Sequence, residues 1–551
     1  MASANQGSSF QAHRPVAMGT RGLVASAHPL ASLAGLRVLM DGGNAVDAAV
    51  AVAAALNVCE PFMSGVAGVG VMLLHLAETG ETRALDFSGR VPYGATPDMF
   101  TPETQQRGIR SPLVPGNLGG WLAALDAYGA KSRGDVFGPA IEYAEGGFPV
   151  SYFAHGVFSS AAQLLNRCPH ASAAYLSNGN APAPGEVLRQ PDLARTFRAI
   201  VEEGAAAFYQ GEIARSIADF CAEEGGLITL KDLENYKPAW QDIITTEYRG
   251  YTVATAPPRF EGFQMLETLN ILEAYDLRGM VHNSSEAIHL IAEAIKIAVA
   301  DRIRFCGDTD FTDVPVEGLI SKAFAADRRR LINPEKANAV EGERWMKEIP
   351  KGAITAGNPR EFLSGLTTHF VAVDPAGNVV SVSQTLGSAF GSARMVKGTG
   401  VTLNNGVNWV EIDPACDTPN RLKGGKRPSI PIAPLQLFRD GKFFLSIGTP
   451  GSYGLLQTTV QMLLNVLDFG ANLQEAIEAP RFRCWAGATI EMEERIPPQV
   501  RNRLAAMGHD VQVLPSFSRV VGGGHGAMIH PASGARLGGA DPRRDGYAIG
   551  F

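Results

Sequence analysis

The residues best suited to chemistry stand together at Ser364-Gly365-Leu366-Thr367-Thr368-His369, where a polar stretch ends and an apolar run begins. A threonine hydroxyl is a poor nucleophile unless a base is held against it. On composition alone, a threonine at the head of a strand reads as ordinary β-propensity. An N-terminal threonine differs, because its own α-amine, with pKa ~7.7–8.0, is a base on the same residue. Scission before Thr367 would place hydroxyl and amine together at the edge of a sheet.

Other constellations are weaker. The run Ser64-Gly-Val-Ala-Gly-Val-Gly70 follows a helical pattern and precedes an apolar strand, the reverse of a dinucleotide fingerprint, and no P-loop lysine accompanies it. It reads as a tight backbone turn. Gly-x-Ser-x-Gly is absent, so a nucleophile elbow has no support. His525 follows Gly522-Gly-Gly524 and pairs only with His530, a spacing that builds no ligand face, so it reads as structural. The six cysteines (59, 168, 221, 306, 416 and 484) include no CxxC pair and read as free thiols. No metal or cofactor is expected.

The elements that must position Thr367 follow from the pattern around it. Helix-like periodicity dominates the first half: Pro29 to Met40 stops at Asp41-Gly42-Gly43, and Asn44 can cap a second helix through Asp47 to Val58 that is apolar on most faces. Asn283-Ser-Ser-Glu286 has capping-box spacing ahead of a helix with Ile288, Ile291, Ile295 and Ala298 on one face. In the second half, His369–Val373 and Val379–Ser383 alternate around Asp374–Asn378 and predict a hairpin. Leu435–Phe438 and Phe443–Ile447 predict another, and a helix is expected over Leu455–Leu467. Between the halves lies a polar linker, Lys336 to Gly365.

The 551 residues are 45% apolar and 19% charged, enough for a large core. Forty-eight basic against 55 acidic residues give −7. That balance offers no electrostatic footprint for nucleic acid. Met1–Thr20 lacks the apolar segment of a secretory signal, and Ala45–Cys59 is too short and too polar to span a bilayer. The chain as given is expected to be cytoplasmic, or exported if a leader has been trimmed.

In order and spacing, the motifs of this chain resemble the γ-glutamyltransferase family of N-terminal-nucleophile hydrolases. They are Gly22-Leu-Val-Ala-Ser26, Gly42-Gly-Asn-Ala-Val-Asp-Ala-Ala49, Val114-Pro-Gly116, Gly120-Trp121 and Ala300-Asp-Arg302. Thr367-Thr-His369, Asp374-x-x-Gly-Asn378, Leu403-Asn-Asn405, Gly448-Thr-Pro-Gly451, Glu478-Ala-Pro-Arg481 and Gly539-Ala-Asp-Pro-Arg543 follow. The resemblance implies an α+β, four-layer αββα sandwich. It also implies self-cleavage between Leu366 and Thr367, giving a large subunit 1–366 and a small subunit 367–551 that form one structural domain. Thr367 would attack the Leu366 carbonyl during maturation and the substrate amide during turnover. Thr385, in Gln384-Thr-Leu386, would hydrogen-bond the nucleophile, and the backbone amides of Gly451 and Ser452 would form the oxyanion hole.

The acyl pocket departs from the family pattern. The family's arginine after Asp-Phe, which suits a bidentate hold on an α-carboxylate, is Ser88 in Asp86-Phe-Ser-Gly-Arg90, with Arg90 two residues on. The asparagine after Thr-Leu is Gly387, an acidic residue falls near Trp409, and the two serines after Arg-Pro-x align with Ile430 and Pro431. Arg90, Arg394 and Trp409 are the candidates for a rebuilt pocket, with surface arginines and a core tryptophan as the plain alternative. The expected activity is hydrolysis of a small carboxylate-bearing amide, as in the family's oxamate amidohydrolase-like and acylase branches. The alternatives are a glutathione hydrolase or transpeptidase with a rebuilt pocket, and a processed but inactive binding homologue. The expected partners are a small-molecule amide and the two subunits of one precursor, with a homo-oligomer of that heterodimer compatible, and neither nucleic acid nor membrane.

Overall fold

The computed structural model describes residues 10–338, 366–485 and 487–551. The expected linker therefore lies outside the described residues, apart from its first three positions.

Local sequence sets the scaffold helix, Ala45–Cys59. Asn44 accepts from the amides of Val46 and Asp47, and Asp47 reaches back to the Asn44 amide at 2.9 Å. This reciprocal cap satisfies donors that a first turn leaves open. Every residue of the helix is buried, as a helix apolar on all faces requires. The capping box expected at Asn283–Glu286 does not form. Asn283 sits at a φ of 56°, and Ser284 caps instead by accepting from the Ala287 amide at 3.2 Å. The helix runs Ser285–Phe305.

Two seven-stranded sheets form the centre. The first orders Tyr547–Gly550, Leu23–Ser26, Leu366–Val373, Val379–Gly387, Val69–His75, Thr82–Phe87 and Ala239–Asp242. The second orders Ala17–Gly19, Arg536–Ala540, His525–Ile529, Lys442–Gly448, Leu435–Arg439, Tyr251–Thr255 and Ile244–Tyr248. Each takes strands from both sides of the 339–365 segment, and neighbouring strands pair antiparallel. Both expected hairpins are present; the second turns through Asp440 and Gly441, at φ of 51° and 73°, the pair of positive angles that matches strand twist.

Alternation along the strands shows the layers. Phe370, Ala372, Val380 and Val382 join the core beneath helices Pro29–Met40, Ala45–Cys59 and Asn117–Tyr128. Val371, Val373 and Val379 pack with Phe438, Phe443 and Ala527 of the second sheet. The second sheet's outer face carries Phe263–Leu272, Ser285–Phe305 and Leu455–Leu467. The result is helix, sheet, sheet, helix. Because strand faces alternate with a period of two, Thr367 and His369 face the second sheet, whereas Thr368 faces the helices.

Candidate active site

Thr367 lies on Leu366–Val373 directly opposite Thr385, with a register shift between Leu366 and Thr367. It is 3% exposed. The Gly387 amide donates to Thr385 Oγ1 at 2.7 Å, which fixes the rotamer of the hydroxyl facing Thr367. Two residues along the same face, His369 Nδ1 lies 3.0 Å from Ser383 Oγ. The His369 ring fills the space beside Gly448, where a Cβ would come within 2.5 Å of it. Gly448 therefore has to be glycine, and its close approach brings the end of Lys442–Gly448 over the strand that carries Thr367.

The chain then turns through Thr449-Pro450-Gly451. Gly451 holds a φ of 142°, a conformation side chains rarely adopt. The turn is braced from below: Thr449 Oγ1 accepts from the Gly523 amide at 2.8 Å, and a Cβ on Gly522 would lie 2.3 Å from that same oxygen. The helix Leu455–Leu467 begins four residues after Gly451, so the turn sits in the positive field of a helix N-terminus, a setting that favours developing negative charge.

Beneath the turn are two buried imidazoles. His525 pairs in register with Gly448, and neither of its ring nitrogens has a partner among the described residues; His369 Nε2 is likewise unpartnered. Burial pushes both rings down to about 3, and their mutual proximity adds to the effect at His369. They are neutral fillers of the inter-sheet space. The reading of His525 as structural agrees with this placement, although its contact with the Thr-Thr-His motif was invisible in the sequence.

The pocket candidates divide between two places. At the first, Ser88 is fully buried and its hydroxyl donates to Asp86 Oδ1 at 2.6 Å. Asp86 Oδ2 takes Arg427 at 2.7 Å and also Arg259. Arg90 is half-buried and donates to the Gly425 carbonyl at 3.0 Å. Trp409 is 9% exposed, within the core around Val407 and Val410, and a Cβ on Gly406 would lie 2.8 Å from its ring. Gly387 has a φ of 101°, and a Cβ there would meet Asn405 Oδ1 at 2.2 Å. At the second place, beyond the loop that leaves Gly387, Arg394 donates to the Arg167 carbonyl at 2.8 Å. With Arg107, Arg167, Glu103 and Ser392 it lines a cleft of about 390 Å³. Arg107 donates to the carbonyls of Ala389, at 2.7 Å, and Gly391, pinning that loop. Arg107 and Arg167 belong to none of the motifs, so nothing in the sequence marked them.

Among the described residues, one group has donors suited to a metal: His289, Glu293 and His509, all buried, with ligand atoms within 4.8 Å of one another. Its chemistry favours an ion-pair network. Lys296 Nζ holds one Glu293 oxygen at 2.7 Å, and the Asn338 amide holds the other at 3.1 Å. His289 Nδ1 and His509 Nε2 are 2.9 Å apart. The group ties Ser285–Phe305 to the C-terminal half. All six cysteines are buried and none forms a disulfide among the described residues, and no helix among the described residues is long and apolar enough to cross a membrane.

The profile described as Gamma-glutamyltranspeptidase matches residues 31–551. An acylase ACY 1 proenzyme from Pseudomonas sp. (strain V22) is 37% identical, over 98% of this chain and 95% of its own. A glutathione hydrolase proenzyme from Bacillus subtilis (strain 168) is 36% identical, over 98% and 94%. The crystal structure of cephalosporin acylase from Bacillus halodurans superposes with a TM-score of 0.89 at 30% identity, covering 100% of this chain and 99% of that one. The chain belongs to the gamma-glutamyltranspeptidase family, as an amide-cleaving enzyme of the N-terminal-nucleophile type.

Proposed function

We propose that the chain is a proenzyme that cuts itself between Leu366 and Thr367 and then hydrolyses a small carboxylate-bearing amide through an acyl-threonine. The observation that carries this reading is the juxtaposition of Thr367 with Thr385 on a strand whose His369 packs against Gly448, three residues before the positive-φ Gly451. In turnover, the α-amine of Thr367 takes the proton from its own hydroxyl as Oγ1 attacks the substrate carbonyl. The amides of Gly451 and Ser452 hold the oxyanion. Collapse returns that proton to the departing amine and leaves an ester on Thr367. Water then attacks the ester, its proton passing through the same α-amine to Oγ1 as the acyl–oxygen bond breaks, which releases the acid and restores the Thr367 hydroxyl. Loss of one oxyanion donor of this kind typically costs ~10²–10³ in rate.

The substrate class rests on two features. The position of the family's carboxylate-binding arginine is Ser88, whose hydroxyl is committed to Asp86, and Gly387 offers no side chain. A site stripped of such partners discriminates poorly in favour of a zwitterionic amino acid. Guanidinium groups nevertheless stand at both places, Arg90 at the Gly425 carbonyl and Arg107, Arg167 and Arg394 along the second cleft, and such groups suit a carboxylate on the acyl or leaving group.

A second reading, a glutathione hydrolase with a rebuilt pocket, draws support from Arg90, two residues after Ser88 and donating to the Gly425 carbonyl, as a substitute for the arginine absent at 88. Parallel assays of glutaryl amides, oxamate and γ-glutamyl-p-nitroanilide separate the two. Preferential turnover of the first pair supports the proposal. Preferential turnover of the γ-glutamyl substrate overturns the substrate class.

A further inference from the structure

The face of the strand opposite Thr367 meets a buried acid, Glu60, on which a buried guanidinium, Arg544, acts, and the mechanism has used neither. Thr368 is fully buried, and its hydroxyl donates to Glu60 Oε2 at 3.3 Å. Glu60 caps the C-terminus of Ala45–Cys59 and is 1% exposed; its Oε1 has no partner among the described residues. The groups that act on it from neighbouring elements are Arg544, which favours its ionised form, and Asp545, which opposes it; Cys59 adjoins it on its own helix. Arg544 is itself buried, with Nε unpartnered among the described residues and NH1 3.5 Å from Met63 Sδ. Its side chain lies under Gly523, where a Cβ would come within 2.6 Å of it, and Arg519 and Asp541 act on it electrostatically. The Met63 backbone carbonyl in turn accepts from the Leu386 amide at 3.0 Å. One segment, residues 60–63, thus touches the strand at Thr368, the end of its hairpin partner and Arg544. Arg544 reaches the glycines that brace the Gly451 turn.

Burial raises Glu60 to about 8, so its charge responds to a new charge nearby, whereas Arg544, lowered only to about 10, stays a guanidinium at neutral pH. Cleavage before Thr367 would create such a charge. The α-amine of Thr367 is one residue from Thr368, ~3.8 Å from Cα to Cα.

We propose that Glu60, acting through the Thr368 hydroxyl, and Arg544 are positioning residues for the mature N-terminus, their opposite charges balancing the Thr367 α-amine between its ammonium and its neutral, catalytic form. The inference rests on Thr367 being the nucleophile released by cleavage. An α-ammonium one residue from the Thr368 that holds Glu60 favours the carboxylate, so the two groups share one proton across neutral pH and titrate as a pair. Arg544 disfavours the ammonium.

The test is the pH profile of kcat/KM in processed enzyme, whose acid limb reports the base of the free enzyme. Glu60→Gln keeps an acceptor for Thr368 and removes the charge; the limb moves to lower pH by about one unit. Arg544→Gln moves it to higher pH, and KM at the optimum changes less than about twofold in either variant. Thr368→Val gives a smaller shift in the Glu60→Gln direction and serves if Glu60→Gln fails to fold. Profiles that coincide with wild type, in whichever of these variants process, overturn the proposal. A wild-type chain that stays uncut and inactive refutes the Thr367 reading itself, and the inference falls with it.

Discussion

Acidification should unlock the space between the sheets through His369 and His525. Both imidazoles are held neutral in the folded protein, with pKa values near 3, whereas an unfolded histidine titrates near 6.5. Because the folded values are depressed, the unfolded chain binds more protons below pH 6.5, and stability falls as pH drops from about 6.5 toward 3. At pH 5 the gap of about 1.5 units between solution pH and the unfolded pKa is worth about 2 kcal/mol for each ring. Neither ring is screened by solvent, since both are 0% exposed. Against a typical total of about 5–15 kcal/mol, two such rings matter. Glu60 and Glu267 act with the opposite sign. Burial raises them, to about 8 and about 10, so they cost stability as pH rises above the ordinary carboxylate range and return it on acidification. The diagnostic is therefore a difference. Urea unfolding of wild type and His525→Leu, followed by tryptophan fluorescence at pH 7.5 and pH 5, should show wild type losing about 2 kcal/mol more than the variant. Equal pH dependence in the two proteins would refute the reasoning, whatever their stabilities at pH 7.5.

Three further outcomes are expected. Thr367→Ala should leave a single 58.5 kDa chain on denaturing gels while wild type resolves into two bands; an uncut wild type that matches the variant contradicts self-cleavage before Thr367. Gly387→Asn restores the family's residue yet should not restore γ-glutamyl turnover. A side chain at a φ of 101° is strained and its Cβ would collide with Asn405 Oδ1, so a loss of about 1–3 kcal/mol is expected, readable as a lowered urea midpoint. Arg394→Ala should raise KM for an acyl amide bearing a carboxylate while sparing the matched uncharged amide; equal effects on both would place Arg394 outside the binding cleft.

Much of the site's local framework could be read directly. The alternation at 369–373 and 379–383, the turn at 374–378, the cap at Asn44 and the helix Leu455–Leu467 depend on residues close in sequence; the structure carries all of them and extends the two strands to Leu366–Val373 and Val379–Gly387. The Asn283–Glu286 expectation missed by one position. Spacing alone does not reveal that Asn283 takes a left-handed φ, which hands the cap to Ser284. The family motifs also lay in the chain itself, Thr367 foremost. What only the tertiary structure decided is which distant groups meet: His525 beneath Gly448, Gly522 and Gly523 bracing Thr449, Glu60 behind Thr368, and Arg394 against the Arg167 carbonyl. Sequence fixes the face a residue presents through the period of its own strand or helix. The partner opposite that face depends on how two sheets pack across their whole width, and in that packing residues hundreds of positions apart become neighbours.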